Sequence, residues 1–145
     1  MNDGPIVVME DNPDDVLLTV RAFAKAGLDR GIVVLHDGDQ AVTALIPEHG
    51  RPEVTPALML LDVNLPKIGG LEVLRRLRAD ERTRTIPVIM LSTSREGRDI
   101  RESYLLGANS FVRKPLSFSR FEAAIGTLVE YWLGINEPCP PPERP

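Results

Sequence analysis

The middle of the sequence reads Ala57-Leu58-Met59-Leu60-Leu61-Asp62, an apolar run that ends in an acid. An apolar run without polar alternation is typical of a strand that is covered on both faces. The acid is followed by residues that favour a turn, namely Asn64, Pro66, Gly69 and Gly70. This segment therefore predicts a buried strand that carries a carboxylate at its carboxyl end.

Four similar apolar runs are separated from it, and from one another, by segments with helical periodicity. The runs are Ile6–Met9, Ile32–Leu35, Val88–Leu91 and Ser110–Val112. The helical patterns begin near Asn12-Pro13, Asp39, Gly70, Gly97 and Ser117. Strands that alternate with helices predict an α/β domain with a doubly wound, five-stranded parallel sheet and five helices.

Length and composition limit the kind of protein this is. The chain has 145 residues, the usual length of one domain, and its 43% hydrophobic content is enough for a core. Its single cysteine, Cys139, excludes an internal disulfide, and a net charge of −4 argues against nucleic-acid binding as the main role. No apolar run approaches the roughly 20 residues that span a bilayer. The N-terminal residues do not resemble a signal peptide. We therefore expect a cytoplasmic protein with neither a membrane nor a nucleic-acid partner.

The most basic segment runs from Arg75 to Arg84 and is interrupted by Asp80 and Glu81. One interpretation is a surface for an anionic partner. We favour the other, in which these arginines form a solvated helix face.

Polar side chains follow four of the predicted strands, and the carboxyl ends of parallel strands are where α/β sheets bind ligands. Three carboxylates would repel one another, and a hard cation such as Mg²⁺ resolves that conflict. A carboxylate beside Mg²⁺ can attack a phosphoryl group, with an ammonium and a hydroxyl binding its oxygens. Taken singly, the same residues could be helix-capping acids, a loop hydroxyl and a surface lysine. The strand-end residues are Glu10 and Asp11, Asp62, Ser92, and Lys114.

Four motifs, in this order along the chain, resemble those of response-regulator receiver domains of two-component signalling. They are Met9-Glu10-Asp11-Asn12-Pro13, Leu61 to Gly70, Ile86 to Thr93, and Phe111-Val112-Arg113-Lys114-Pro115. The resemblance implies a flavodoxin-like fold with strand order 2-1-3-4-5. It implies a chain that is not an enzyme beyond its own phosphorylation and dephosphorylation.

The resemblance also implies a role for each matching residue. Asp62 becomes the phosphoacceptor and Lys114 the phosphate-binding lysine. Ser92 becomes the switch hydroxyl and Phe111 the switch aromatic. Mg²⁺ would be held by Glu10, Asp11, Asp62 and the backbone carbonyl of Asn64.

A finer resemblance connects the chain with small stand-alone receivers, some of which serve phytochrome-type histidine kinases. It rests on Glu10-Asp11-Asn12-Pro13, on the segment from Leu74 to Ser94, and on a long last helix that ends in Tyr131-Trp132-Leu133. We expect a receiver domain at residues 4–133 and an irregular, proline-rich tail at residues 134–145. The domain is then expected to act alone, with a sensor histidine kinase and a downstream protein or phosphotransfer partner. The expected output surface is formed by the fourth helix, fifth strand and fifth helix. We expect it to bind a partner or a second copy of the chain through Ile100, Tyr104, Ala124 and Tyr131.

Two other functions are compatible with the strand-end acids. An aspartate-nucleophile phosphohydrolase uses a similar sheet, but its nucleophile follows the first strand and has an acid two residues on, where this chain has Asn64 after Asp62. A receiver-like scaffold that works without phosphorylation would not need the complete set of acids, hydroxyl and lysine.

Overall fold

The computed structural model describes residues 3–93, 96–114 and 117–140. Ser94 and Pro115, which belong to the segments compared above, and tail residues 141–145 lie outside the described residues. In chain order the elements are β1 (Ile6–Met9), α1 (Pro13–Lys25), β2 (Ile32–Leu35), α2 (Gly38–Leu45), β3 (Leu58–Leu61), α3 (Gly70–Ala79), β4 (Val88–Ser92), α4 (Gly97–Leu105), β5 (Ser110–Arg113) and α5 (Phe118–Glu130).

The five strands form one parallel sheet in the order β2-β1-β3-β4-β5, which confirms the predicted fold. In the register of the two central strands, Met9 pairs with Leu61. The backbone N–H of Asp62 then donates to the carbonyl of Met9 at 3.2 Å. Glu10 and Asp62 therefore leave the sheet side by side.

Two apolar layers cover the sheet, which explains why its strands show no polar alternation. Alternate strand residues such as Val7 and Met59 join the layer under α2 and α3. Their neighbours, such as Ile6 and Leu58, join the layer under α1 and α5. Phe23 of α1 is fully buried in this second layer.

The first turn of α1 is fixed by its cap, as the Asn12-Pro13 pair predicts. The Asn12 Oδ1 accepts from the backbone N–H groups of Asp14 at 2.9 Å and Asp15 at 3.3 Å. The helix ends before Gly27, which takes the left-handed φ of 80°. Because Asn12 lies three residues beyond β1, the two acids stand close to the carboxyl edge of the sheet.

Arg78 contradicts the expectation that the basic segment is a solvated face. It is half-buried at the end of α3, and its guanidinium donates to neutral oxygens at the amino edge of the sheet. These bonds join α3 to the segments before β4 and β5. The acceptors are the carbonyls of Gly107 at 2.8 Å, Ile86 at 2.8 Å, Arg84 at 3.0 Å and Thr83 at 3.4 Å, and Asn109 Oδ1 at 2.9 Å.

The chain continues beyond α5 in a π-helical turn at Tyr131–Ile135. Trp132 packs against the layer under α1 and α5 and meets the Tyr131 ring edge-on at 5.0 Å. Gly134 and Ile135 thus belong to a regular turn, contrary to the expected irregular tail, while the domain bounds remain a prediction. No helix in the described part of the chain is long and apolar enough to cross a membrane.

Candidate functional site

The Lys114 ammonium lies at the carboxyl edge of the sheet and contacts three carboxylates. Its Nζ donates to Glu10 Oε2 at 2.7 Å, Asp62 Oδ2 at 3.0 Å and Asp15 Oδ2 at 3.1 Å. The lysine side chain is only 11% exposed, and Glu10 and Asp62 are buried with it. A cation shielded from water in this way strongly attracts negative charge.

Backbone groups orient each partner of this cluster. The Lys114 N–H donates to the carbonyl of Ser92 at 2.9 Å, which places the lysine beside the end of β4. The second oxygen of Glu10 accepts from the Asn12 N–H at 3.2 Å. The second oxygen of Asp62 accepts from the Asn64 N–H at 2.8 Å. The carboxylates are therefore held in place by the chain and not only by the lysine.

The electrostatics of the cluster follow from placing two acids together away from water. Burial, together with the hydrogen bond to the Asp62 carboxyl, raises the pKa of Glu10 to about 7, although Lys114 opposes that rise. Burial acts to lower the pKa of Lys114, but the hydrogen bonds and charges of Glu10 and Asp62 outweigh it. The pKa of Lys114 therefore stands above its ordinary value. The lysine is charged at neutral pH, and the raised pKa of Glu10 shows that one ammonium does not fully offset the two neighbouring acids.

Two glycines, which lack a side chain, allow close backbone packing around the loop between Asp62 and α3. A Cβ on Gly70 would overlap the backbone oxygen of Asp62, and one on Gly38 would overlap that of Ile68. Lys67, at the tip of the loop, takes a left-handed φ of 66°, and its Nζ lies 3.6 Å from Asp37 Oδ2. The loop that carries Asn64 thus rests directly on the start of α2.

The predicted metal ligands are brought together only in part. Glu10 and Asp62 are neighbours, whereas Asp11 is exposed at the rim. Within residues 3–93, 96–114 and 117–140, no three or more Asp, Glu, His or Cys side chains form a preassembled metal-binding group. The donors nevertheless fit a hard divalent cation, because two buried carboxylates supply oxygen ligands and share one ammonium between them.

The two predicted switch residues lie on neighbouring strands. Ser92 ends β4 and is fully buried, and Phe111 lies in β5, half-buried against the layer under α2 and α3. Their strands pair in register, with Ser92 opposite Arg113. A movement of Ser92 would therefore act directly on the neighbouring strand β5.

The residues predicted for an interface differ in exposure. Tyr104 is 51% exposed and Tyr131 is 46% exposed, while Ile100 and Ala124 are partly covered. Leu105, beside Tyr104 on α4, is 73% exposed. Apolar surface is thus available on α4 and after α5.

Asp15 is the site residue that the sequence analysis missed. The cap at Asn12 indicates that the first turn of α1 lies at this edge of the sheet. The turn contains adjacent acids, Asp14 and Asp15, and only the rotation of the helix brings Asp15 to Lys114. A signal for the turn was present, but it did not distinguish between the two acids.

The arrangement has the chemistry of a phosphoryl acceptor. Asp62 is a carboxylate held at a sheet edge, and an ammonium within 3.0 Å of one of its oxygens can neutralise charge on an incoming group. Phosphoryl transfer needs mostly such positioning and charge neutralisation.

Comparison with known proteins agrees with this geometry. Residues 6–126 match the response regulator receiver domain family. The probable methanogenesis regulatory protein FilR2 of Methanothrix harundinacea (strain 6Ac) is 40% identical over 131 residues, covering 90% of this chain and 84% of that protein. The response regulator Rcp1 of Synechocystis sp. (strain ATCC 27184 / PCC 6803 / Kazusa) is 31% identical over 130 residues, covering 88% of each.

Solved structures give the same result. The Mn²⁺-bound form of Rcp1 superposes with a TM-score of 0.84 at 27% identity, covering 94% of this chain and 99% of that one. The phosphorylated cyanobacterial phytochrome response regulator RcpA superposes with a TM-score of 0.83 at 32% identity, with the same coverage. The chain, with its buried acids and lysine at one edge of a 2-1-3-4-5 sheet, belongs to the response regulator receiver domain family.

Proposed function

We propose that the chain is a single-domain response regulator that accepts a phosphoryl group on Asp62 from a sensor histidine kinase in the cytoplasm. The observation that carries the proposal is the Asp62 carboxylate, buried at the sheet edge with the Lys114 ammonium 3.0 Å away. A kinase of the phytochrome type is the favoured donor, because RcpA is by its name a phytochrome response regulator.

In the proposed transfer, an Asp62 oxygen attacks the phosphorus of a phosphohistidine. The new P–O bond forms as the P–N bond breaks, and the imidazole keeps the electron pair of the broken bond. Lys114 binds an oxygen of the arriving phosphoryl group, and the Asn64 N–H keeps the Asp62 carboxylate oriented. The domain thus promotes its own phosphorylation, and later dephosphorylation, without turning over a separate substrate.

Mg²⁺ is the proposed cofactor. Glu10 and Asp62 would hold it, joined by Asp11 from the rim and the backbone carbonyl of Asn64. The ion supplies charge neutralisation between the acids and the phosphoryl group. The donor set of this chain and the Mn²⁺-bound form of Rcp1 support divalent-cation binding.

The proposed output is a change on the surface formed by α4, β5 and α5. Ser92 would bond a phosphoryl oxygen, and Phe111 would turn inward into the space that Ser92 leaves. A downstream protein, a phosphotransfer partner or a second copy of the chain would then bind through Ile100, Tyr104, Ala124 and Tyr131. The exposure of both tyrosines is what supports this surface.

Labelling with acetyl phosphate tests the acceptor. The wild type should gain one phosphoryl group in a Mg²⁺-dependent reaction, detected by intact-protein mass spectrometry. Asp62→Asn should gain none, whereas Asp80→Asn, a carboxylate on the opposite edge, should be labelled like the wild type. Labelling of Asp62→Asn at the wild-type rate would refute the assignment. Sustained turnover of a small phosphate ester would favour the phosphohydrolase instead.

The output surface is tested separately by a Tyr104→Glu/Tyr131→Glu double variant. Light scattering should show weaker self-association than in the wild type, while labelling of Asp62 stays unchanged. A dimer that survives in the double variant excludes this surface as its interface, and a monomeric wild type leaves only binding to a different protein.

A further inference from the structure

Asp15 contributes a third carboxylate to Lys114 that has no part in the proposed metal site. Its Oδ2 lies 3.1 Å from the ammonium, and its side chain is 36% exposed, whereas those of Glu10 and Asp62 are almost covered. Two hydrogen bonds fix the backbone of Asp15 in the first turn of α1. Its N–H is capped by Asn12, and its carbonyl accepts from the buried Thr19 hydroxyl at 2.7 Å.

The other two partners of Lys114 are the acids that a divalent cation would take. A doubly charged ion on Glu10 and Asp62 would compete with the ammonium for their oxygens and would repel it. An ammonium that is 11% exposed and loses its partners is costly to keep, because a buried charge needs a counter-charge. The cation would therefore bind weakly unless the lysine had another acid within reach.

We propose that Asp15 is a positioning residue that holds the Lys114 ammonium when a divalent cation occupies Glu10 and Asp62. Asp15 thereby raises the affinity of the site for the cation by acting through the lysine. This inference rests on the proposed function, since it concerns the same cation and the same acids. It assigns to the first turn of α1 a part in preparing the site, beyond capping the helix.

Asp14 provides a matched control. It is adjacent to Asp15 in the same turn, carries the same charge and also has its N–H capped by Asn12, but its side chain is exposed and Lys114 is not its partner. Removal of either acid takes away one negative charge near the site. Only removal of Asp15 takes a partner away from the lysine.

The experiment is a calorimetric Mg²⁺ titration of the full chain and its variants. Asp14→Asn should weaken Mg²⁺ binding by no more than about twofold, since an exposed charge is well screened. Asp15→Asn should weaken it by about tenfold, within the usual range of coupling between contacting groups. In a Lys114→Met background, Asp15→Asn should weaken it no more than Asp14→Asn does, because the lysine through which it acts is missing.

Two results would overturn the inference while leaving the proposed function intact. One is an equal loss of affinity in Asp14→Asn and Asp15→Asn. The other is a tenfold loss from Asp15→Asn that persists without Lys114. A wild type that binds no Mg²⁺ would overturn both this inference and the Mg²⁺ dependence in the proposed function. Urea unfolding of each variant without metal verifies that it is folded, and Asp15→Glu should restore most of the affinity by returning a carboxylate to the lysine.

Discussion

Lys114 and Arg78 are both largely covered cations, and they lie at opposite edges of the same sheet. Lys114 follows β5, and its ammonium bonds three carboxylates among the described residues. Arg78 ends α3 and bonds neutral carbonyl and amide oxygens. The pKa of Lys114 is raised by its acids against the effect of burial, while burial lowers that of Arg78. Lys114 is held by carboxylates that can also bind a metal ion, whereas Arg78 is held by neutral oxygens that serve the fold.

The backbone shows the same contrast. At the amino edge, the left-handed φ of 103° belongs to Gly107, a residue that adopts it without strain. At the carboxyl edge, the left-handed φ of 66° belongs to Lys67, in the loop that follows Asp62. A side chain in that conformation costs about 1–2 kcal/mol. The amino edge is thus built for stability, whereas the carboxyl edge gives up some stability in the loop beside Asp62.

The largest effect on this comparison is expected from Arg78→Met. It takes a donor from the part-buried carbonyls of Gly107 and Ile86, each costing about 1–3 kcal/mol if water cannot replace the arginine, so we expect a loss of about 3 kcal/mol by urea unfolding. Asp62 labelling should persist below the unfolding temperature. Arg76→Met, which removes a partly exposed arginine paired with Glu72, should cost at most about 0.5 kcal/mol. Equal losses of unfolding free energy in the two variants would show that Arg78 stabilises the domain no more than a surface arginine does.

Gly107→Ala tests the contacts of Arg78 from the side of a residue whose carbonyl accepts from its guanidinium. The new Cβ would need the left-handed φ and would lie 2.9 Å from Arg78 Cγ, so we expect a loss of about 2 kcal/mol. Gly126→Ala in α5 is the control, because nothing lies within 4 Å of its added Cβ. It should stabilise the domain by roughly 0.5–1 kcal/mol. Thermal unfolding compares the two, and a neutral Gly107→Ala would contradict both the φ strain and the close contact with Arg78.

Lys114→Met should cost less than Arg78→Met, and its cost should be reversible. We expect a loss of about 1–2 kcal/mol without metal, because Glu10 and Asp62 then face each other without a cation. Mg²⁺ should restore much of that loss by binding the folded state, as unfolding curves at increasing Mg²⁺ would measure. The Mg²⁺ dependence of Arg78→Met should equal that of the wild type. A Lys114→Met variant that Mg²⁺ fails to stabilise would contradict the idea that a metal ion can replace the lysine as the cation beside Glu10 and Asp62.

Lys67→Gly should give the smallest change and the opposite sign. Relief of the left-handed strain, reduced by the entropy that glycine gains on unfolding, should stabilise the domain by about 0.5 kcal/mol. Lys67→Gln removes the ion pair with Asp37 but keeps the strain, and it should destabilise slightly. Urea midpoints distinguish the two, and equal midpoints would show that the loop carries no strain.

The sheet order and the meeting of Asp62 with Lys114 were predictable because strand ends obey simple rules. An apolar run indicates a covered strand, and parallel strands end at one edge. Arg78 was not predictable, since its acceptors lie up to 31 positions further along the chain and no local pattern marks them. Asp15 depended on a helix rotation that two adjacent acids do not reveal. The turn at Gly134 and Ile135 was hidden by the proline-rich composition after it.

The hydrogen bond between Glu10 and Lys114 spans 104 positions of the chain, nearly from the first strand to the last. During synthesis, Glu10 and Asp62 leave the ribosome long before the lysine that neutralises them. On the proposed function, a nascent chain contains the acceptor aspartate without its cation, and it would accept a phosphoryl group poorly until β5 has paired with β4. Competence for phosphorylation would then require that the whole sheet has been made, so that unfinished chains would not compete for the proposed kinase.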